Sequence, residues 1–107
     1  MSFERACLDG DLKSIQSMID NADDILFNYG LYGACQGGHL QIIQLMIDHG
    51  ADDWNGALYY ACRGGHFGIV EQMIDRGAND FDQGLSAACL GGHFELAKMM
   101  IQRGADC

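Results

Sequence analysis

The tripeptide Gly-Gly-His occurs at Gly37-Gly38-His39, Gly64-Gly65-His66 and Gly91-Gly92-His93, a period of 27 residues (66 − 39 and 93 − 66). A recurring segment must fold as a unit that packs against copies of itself, so this period constrains the architecture more than any bulk property does. The same step links Cys35, Cys62 and Cys89, then Met46, Met73 and Met100, then Gly50, Gly77 and Gly104. A degenerate copy precedes them: Ala6-Cys7 matches Ala34-Cys35 and Met18-Ile19 matches Met46-Ile47, with a step of 28 (35 − 7). Four units, at about 1–28, 29–55, 56–82 and 83–107, fill the chain and predict a single repeat domain over 1–107 with no linker.

Each unit reads as two short helices. A stretch around Leu58 to Arg63 ends at Gly64-Gly65, and glycine most readily takes the left-handed conformation that closes a helix. A second helix is expected from about Leu40 to His49, where Leu40, Ile43, Met46 and Ile47 recur at helical spacing as one apolar stripe. It stops at Gly50, with His49, Arg76 and Arg103 in the last turn to complement the carbonyl end of the dipole, and Asn21 in that place in the first unit. Helices this short are marginal alone, so neighbouring units must stack and share one core.

The run from Leu58 to Ala78, LYYACRGGHFGIVEQMIDRGA, resembles the ankyrin pattern L-H-x-A-A-x-x-G-H-x-x-I-V-x-x-L-L-x-x-G-A, in three successive close copies. The ankyrin unit has about 33 residues and a T-P-L-H signature. Here Thr-Pro is absent, Tyr32, Tyr59 or Ser86 replaces the signature His, and about six residues are missing between Gly-Ala-Asp and the next Leu. In ankyrins that segment builds a projecting β-hairpin finger. The resemblance therefore implies an all-α solenoid of four stacked helix-turn-helix repeats with shortened or absent fingers. Shortened repeats of this kind resemble those abundant in large DNA viruses and some protists. The resemblance also implies a protein-interaction module or scaffold that binds a partner protein through the first helices and their loops, without catalysis. The alternatives are a structural or designed array with no dedicated partner, and behind it a metal protein or an enzyme.

With 15 acidic against 6 basic side chains, the formal charge of -9 repels phosphate backbones and anionic lipid surfaces. Nucleic acid and membrane are not expected partners, and the sequence shows no apolar run of signal-peptide or membrane-span length. Five cysteines, odd in number and without paired spacing, suit reduced thiols in cytoplasm or nucleus.

Three Cys-x-x-x-His pairs, Cys35/His39, Cys62/His66 and Cys89/His93, have residue types that ligate zinc. The first unit carries Cys7 and Asp11 at those places, and Asp is a strong helix N-cap, so the histidines are expected to do similar backbone work at the start of the second helix. The cysteines fall at a crowded inter-helix position that suits a small, weakly polar side chain. A Cys-His catalytic dyad needs one activated thiolate with an orienting third group, and three near-identical copies are not one site. The Gly-Gly pairs lack the strand before and the Lys-Ser/Thr after that a phosphate loop requires. The methionine column reads as core filling. No catalytic residue, metal ligand or cofactor is expected.

The aromatics carry the binding expectation. Phe27, Trp54 and Phe81 repeat at the same period in the segment expected to be the trimmed loop, either stacked on one another to seal its edge or exposed as a ladder. Aromatic residues are enriched where interfaces concentrate their energy. On the first-helix face, the positions that vary between units are Tyr32, Gly33 and Gln36, then Tyr59, Tyr60 and Arg63, then Ser86, Ala87 and Leu90. The candidate protein-binding residues are thus Tyr32, Gln36, Trp54, Tyr59, Tyr60, Arg63, Phe81 and Leu90. Lys13, Ser14 and Ser17 mark the first unit as a polar cap. Leu90, Leu96, Ala97 and Met99 leave the outer side of the fourth apolar, so the chain is expected to be a monomer or a weak end-to-end homodimer through that unit.

Overall fold

In the computed structural model, residues 2–20 and 24–105 are described. The expected Asn21 cap and Cys107 lie outside them. Eight helices run in order: α1 Phe3–Asp9, α2 Leu12–Ile19, α3 Asp24–Gly37, α4 Leu40–Asp48, α5 Trp54–Gly64, α6 Phe67–Asp75, α7 Phe81–Gly91 and α8 Phe94–Gln102. No strand occurs among the described residues, so where the sequence left the finger shortened or absent, it is absent among those residues.

The helix boundaries follow from caps. Ser2, Asp11, Asp53 and Asp80 accept the backbone N–H of Arg5, Ser14, Gly56 and Gln83 at 3.0 to 3.3 Å, satisfying donors that the first turn leaves orphaned. These caps start α5 and α7 earlier than the Leu58 stretch suggested. Trp54 and Phe81 are consequently the first residues of helices and Phe27 lies inside α3, so the sequence-based placement of all three in a loop is corrected. The first helices close on left-handed glycines, such as Gly65 at φ 79°. Expected units beginning near 29, 56 and 83 share the helical period but start inside α3, α5 and α7; the repeat fixes the step, and the caps fix the phase.

The odd-numbered helices pack side by side, α1 on α3 on α5 on α7, and each even-numbered helix folds back on the one before it. The stack measures 41 × 23 × 18 Å. Its core is a column of fully buried side chains that includes Ile15, Leu31, Met46, Leu58, Met73, Leu96 and Met100.

Where a finger would have joined neighbouring units, an asparagine does so. The Asn28 side-chain oxygen accepts from the N–H groups of Asp52 at 3.0 Å and Asp53 at 3.1 Å. Asn55 repeats this with Asn79 at 2.8 Å and Asp80 at 3.0 Å. Each amide thereby holds the turn that leads into the next first helix, and no strand pairing is needed there.

Candidate protein-docking surfaces

The Gly-Gly-His motif is a joint between units. His39, His66 and His93 occupy the N-cap positions of α4, α6 and α8, yet none makes a side-chain capping bond. Each Nε2 instead meets a main-chain carbonyl of the preceding unit: Leu8 at 2.9 Å, Gln36 at 2.9 Å and Arg63 at 3.1 Å. A carbonyl only accepts, so Nε2–H is the donor. The expected service to the second helix is therefore corrected. The φ angles of these residues, near −100°, are not helical, and the rings extend back toward the preceding unit.

Cys7, Cys35 and Cys62 are buried. Burial pushes all three thiols up to about 12, with the charge of Glu4 adding to the effect at Cys7. They stay protonated at neutral pH, the form that neither attacks nor ligates. Cys89 departs from the column and is exposed. Among the described residues no group of three or more His, Cys, Asp or Glu is placed to hold a metal ion.

On the first-helix face, the tyrosines converge. Tyr32 from α3 and Tyr60 from α5 stack with ring centroids 5.1 Å apart and planes 22° apart, Tyr59 meets Tyr60 edge-on at 5.1 Å, and Tyr29 meets Tyr32 edge-on at 5.8 Å. The Tyr32 hydroxyl donates to the Asp53 carboxylate, so the residue that caps α5 also fixes this ring. Burial, and then the bond to Asp53, raise the Tyr32 pKa above the ordinary tyrosine value. Beside the stack lies an open pocket of about 260 Å³, lined by Tyr32, Tyr59, Tyr60, Asn55, Asp80 and Gln83.

The other sequence candidates lie apart from this pocket. The Arg76 guanidinium sits 5.1 Å from the centroid of Trp54, and Phe27 stacks on His49 at 4.8 Å while meeting Phe3 edge-on at 6.1 Å. These rings take partners from the ends of α4 and α6 where stacking on one another was one expectation. Phe27 is buried, while Trp54 and Phe81 are half-buried. Gln36 and Arg63 stand at the ends of their helices, where their carbonyls receive the histidines. Asn55, Asp80 and Gln83 were missed as pocket residues. A signal existed, because Asn28 and Asn55 are spaced by the repeat, as are Asp53 and Asp80.

Leu90 belongs to a second surface, the outer face of the fourth unit. Leu90 is 68% exposed, Phe94 74% and Ile101 46%, whereas Leu96 and Ala97, expected outside, are buried. Leu96 joins Met100 on the inward stripe of α8, so Leu96 had been assigned to the wrong face, while Ala97, though buried, lines an open cavity on the outer side with Leu90 and Ile101. At the other end Lys13 and Ser17 are exposed and Ser14 is half-buried.

A chain of capped helix pairs, joined side by side through His-to-carbonyl bonds around a continuous apolar column, is a helix-turn-helix repeat protein. A family model for ankyrin repeats, in three copies, matches residues 3–84, and the chain belongs to the ankyrin-repeat family. No curated protein matches it. Repeats of this family generally serve as protein-interaction modules and are typically non-catalytic. Among the described residues no helix is long and apolar enough to cross a membrane.

Proposed function

We propose that the chain is a non-catalytic adaptor whose first-helix face binds a partner protein, with the tyrosine pocket at the centre of contact. The observation that carries this reading is the pocket itself: three tyrosines from two adjacent units beside the carboxylate of Asp80. Stacked rings offer rigid apolar area together with π faces, and such faces attract cations. A formal charge of -9 adds attraction for a basic surface over the whole molecule. The partner segment therefore carries Lys or Arg. Trp54, Arg63 and Gln36, apart from the pocket on the same first helices, are further candidate contacts. Buried, protonated thiols and carbonyl-bound imidazoles argue against nucleophilic chemistry and metal binding, and unpaired cysteines suit the cytoplasm or nucleus.

A displayed library of random peptides, selected on the folded chain, tests the reading. Lys- or Arg-containing sequences should be enriched, and their binding should weaken about tenfold or more in Tyr59→Ala. Asp80→Asn should weaken it too while leaving helix stability intact, because Asn caps as well as Asp does. Enrichment of acidic or uncharged sequences, or equal binding to both variants, would overturn it.

A further inference from the structure

Of the seven large apolar side chains that stand exposed among the described residues, four are Leu12, Leu40, Phe67 and Phe94. Each is the first residue of a second helix and directly follows the joint residue of its unit, Asp11, His39, His66 or His93. The bonds from the three histidines to the preceding unit set these side chains in one row along the stack. The row lies past the ends of the first helices, whereas the tyrosine pocket lies by the starts of α5 and α7. Leu12 and Leu40 border a common open hollow of about 320 Å³, which Gly10, Gly38 and Ile42 also line.

The charge around this row differs from that of the chain. Over the first six residues of the four second helices the charged side chains are Lys13, Glu71, Glu95 and Lys98, a net charge of zero in a molecule of formal charge -9. All four are exposed, and among the described residues none is in an ion pair. Immediately after the apolar residue stand Lys13, Gln41, Gly68 and Glu95 in units one to four, so the two ends of the row carry opposite signs. A locally neutral apolar strip gives a basic partner no charge to seek. Opposite signs at its ends match a reversed copy of the same strip.

We propose that this row is a self-association surface, on which a second copy of the chain lies antiparallel and edge to edge. With the two-fold axis across the stack, unit one faces unit four and unit two faces unit three. Lys13 then meets Glu95 of the second copy, at two symmetry-related places, and Gln41 meets Gly68. One turn further along the second helices Gln16 faces Lys98 and Gln44 faces Glu71, so no like charges oppose. The rings of Phe67 and Phe94 come over Leu40 and Leu12 and fill the hollow between them. A parallel pair would set each unit on its own copy, bringing Lys13 near Lys13 and Glu95 near Glu95. A slip of one unit would leave Lys13 opposite Gly68. The stack is 41 Å long and no narrower than 18 Å, and 41 × 18 Å is about 740 Å². That is near the roughly 800 Å² that each partner of a stable dimer buries.

Sedimentation equilibrium of the full chain tests this. The unaltered chain should dimerise reversibly, and Leu40→Asp should abolish the dimer with the helical circular dichroism unchanged. Position 40 is exposed, and a carboxylate in the first turn of a helix is favourable there. Phe67→Asp, at the equivalent place in α6, decides if Leu40→Asp does not fold. Lys13→Glu should weaken the dimer about tenfold, since two contacts turn repulsive at once, and adding Glu95→Lys to it should restore the affinity. The proposal is overturned if the unaltered chain is still monomeric at about 1 mM. It is overturned too if a folded Leu40→Asp or Phe67→Asp chain dimerises as well as the unaltered one, as it would if the contact lay on the outer face of the fourth unit. A Lys13→Glu chain that loses nothing, or a double reversal that recovers nothing, would remove the antiparallel register and the proposal with it.

Discussion

Two glycines show how differently one residue type is used. At Gly37 an added methyl group would run into the Leu8 carbonyl oxygen of the neighbouring unit, a main-chain atom that cannot move without parting the joint. At Gly68, in the first turn of α6, nothing lies within 4 Å of the added carbon. Gly37→Ala should therefore cost about 1–3 kcal/mol, as overpacking does. Gly68→Ala should stabilise by about 0.5–1 kcal/mol by restricting the unfolded chain. Urea midpoints of both variants decide this, and a stabilised Gly37→Ala would mean that the units do not approach so closely. The sequence displayed Gly-Gly-His as a marker of the period, but the role of the histidine was not legible there. Its bond runs about 30 residues back, to a carbonyl that every residue type possesses, so no side-chain pattern records the acceptor.

At the scale of the helices, Asp53 and Asp80 occupy equivalent places with unequal duties. Both cap a first helix, but Asp53 also accepts the Tyr32 hydroxyl across the unit boundary. Asp80→Ala should cost about 1 kcal/mol, the worth of a cap. Asp53→Ala should cost about 1 kcal/mol more, because the half-buried phenol loses its partner. Asp53→Asn should recover most of that difference, since its amide oxygen can replace the capping Oδ1 while its NH2, in the place of Oδ2, donates to the Tyr32 hydroxyl oxygen. Chemical denaturation of the three variants measures the ordering, and equal losses for the two alanines would show that the Tyr32 bond adds nothing. The second helices could be read in advance because an apolar stripe and a terminal glycine mark them at Ile43, Met46 and Gly50, although Leu40, read as part of that stripe, is exposed and Ile42 is buried instead. The starts of the first helices could not, since Trp54 and Phe81 look like loop aromatics until Asp53 and Asp80 are known to be caps. The tyrosine pocket was half legible: Tyr32, Tyr59 and Tyr60 stood out as variable aromatics, while Asn55 and Asp80 were not singled out.

Over the whole molecule, the cysteine column ties stability to alkaline pH. Cys7, Cys35 and Cys62 have folded pKa values near 12, against an ordinary value of 9.0. Below pH 9 both folded and unfolded chains hold these protons, and the thiols give no pH dependence. As pH rises past 9, the unfolded chain releases them while the folded chain keeps them. The unfolded state then binds fewer protons, and stability must fall with pH toward 12 at about 1.4 kcal/mol per pH unit for each thiol fully ionised on unfolding. Tyr32, also raised, adds its share above the ordinary tyrosine range. Replacing Cys35 and Cys62 together by alanine should flatten the decline between pH 9 and 10.5, even though the variant begins less stable at pH 7. Unfolding midpoints across that range provide the measure, and an unchanged slope would place the alkaline loss on other groups.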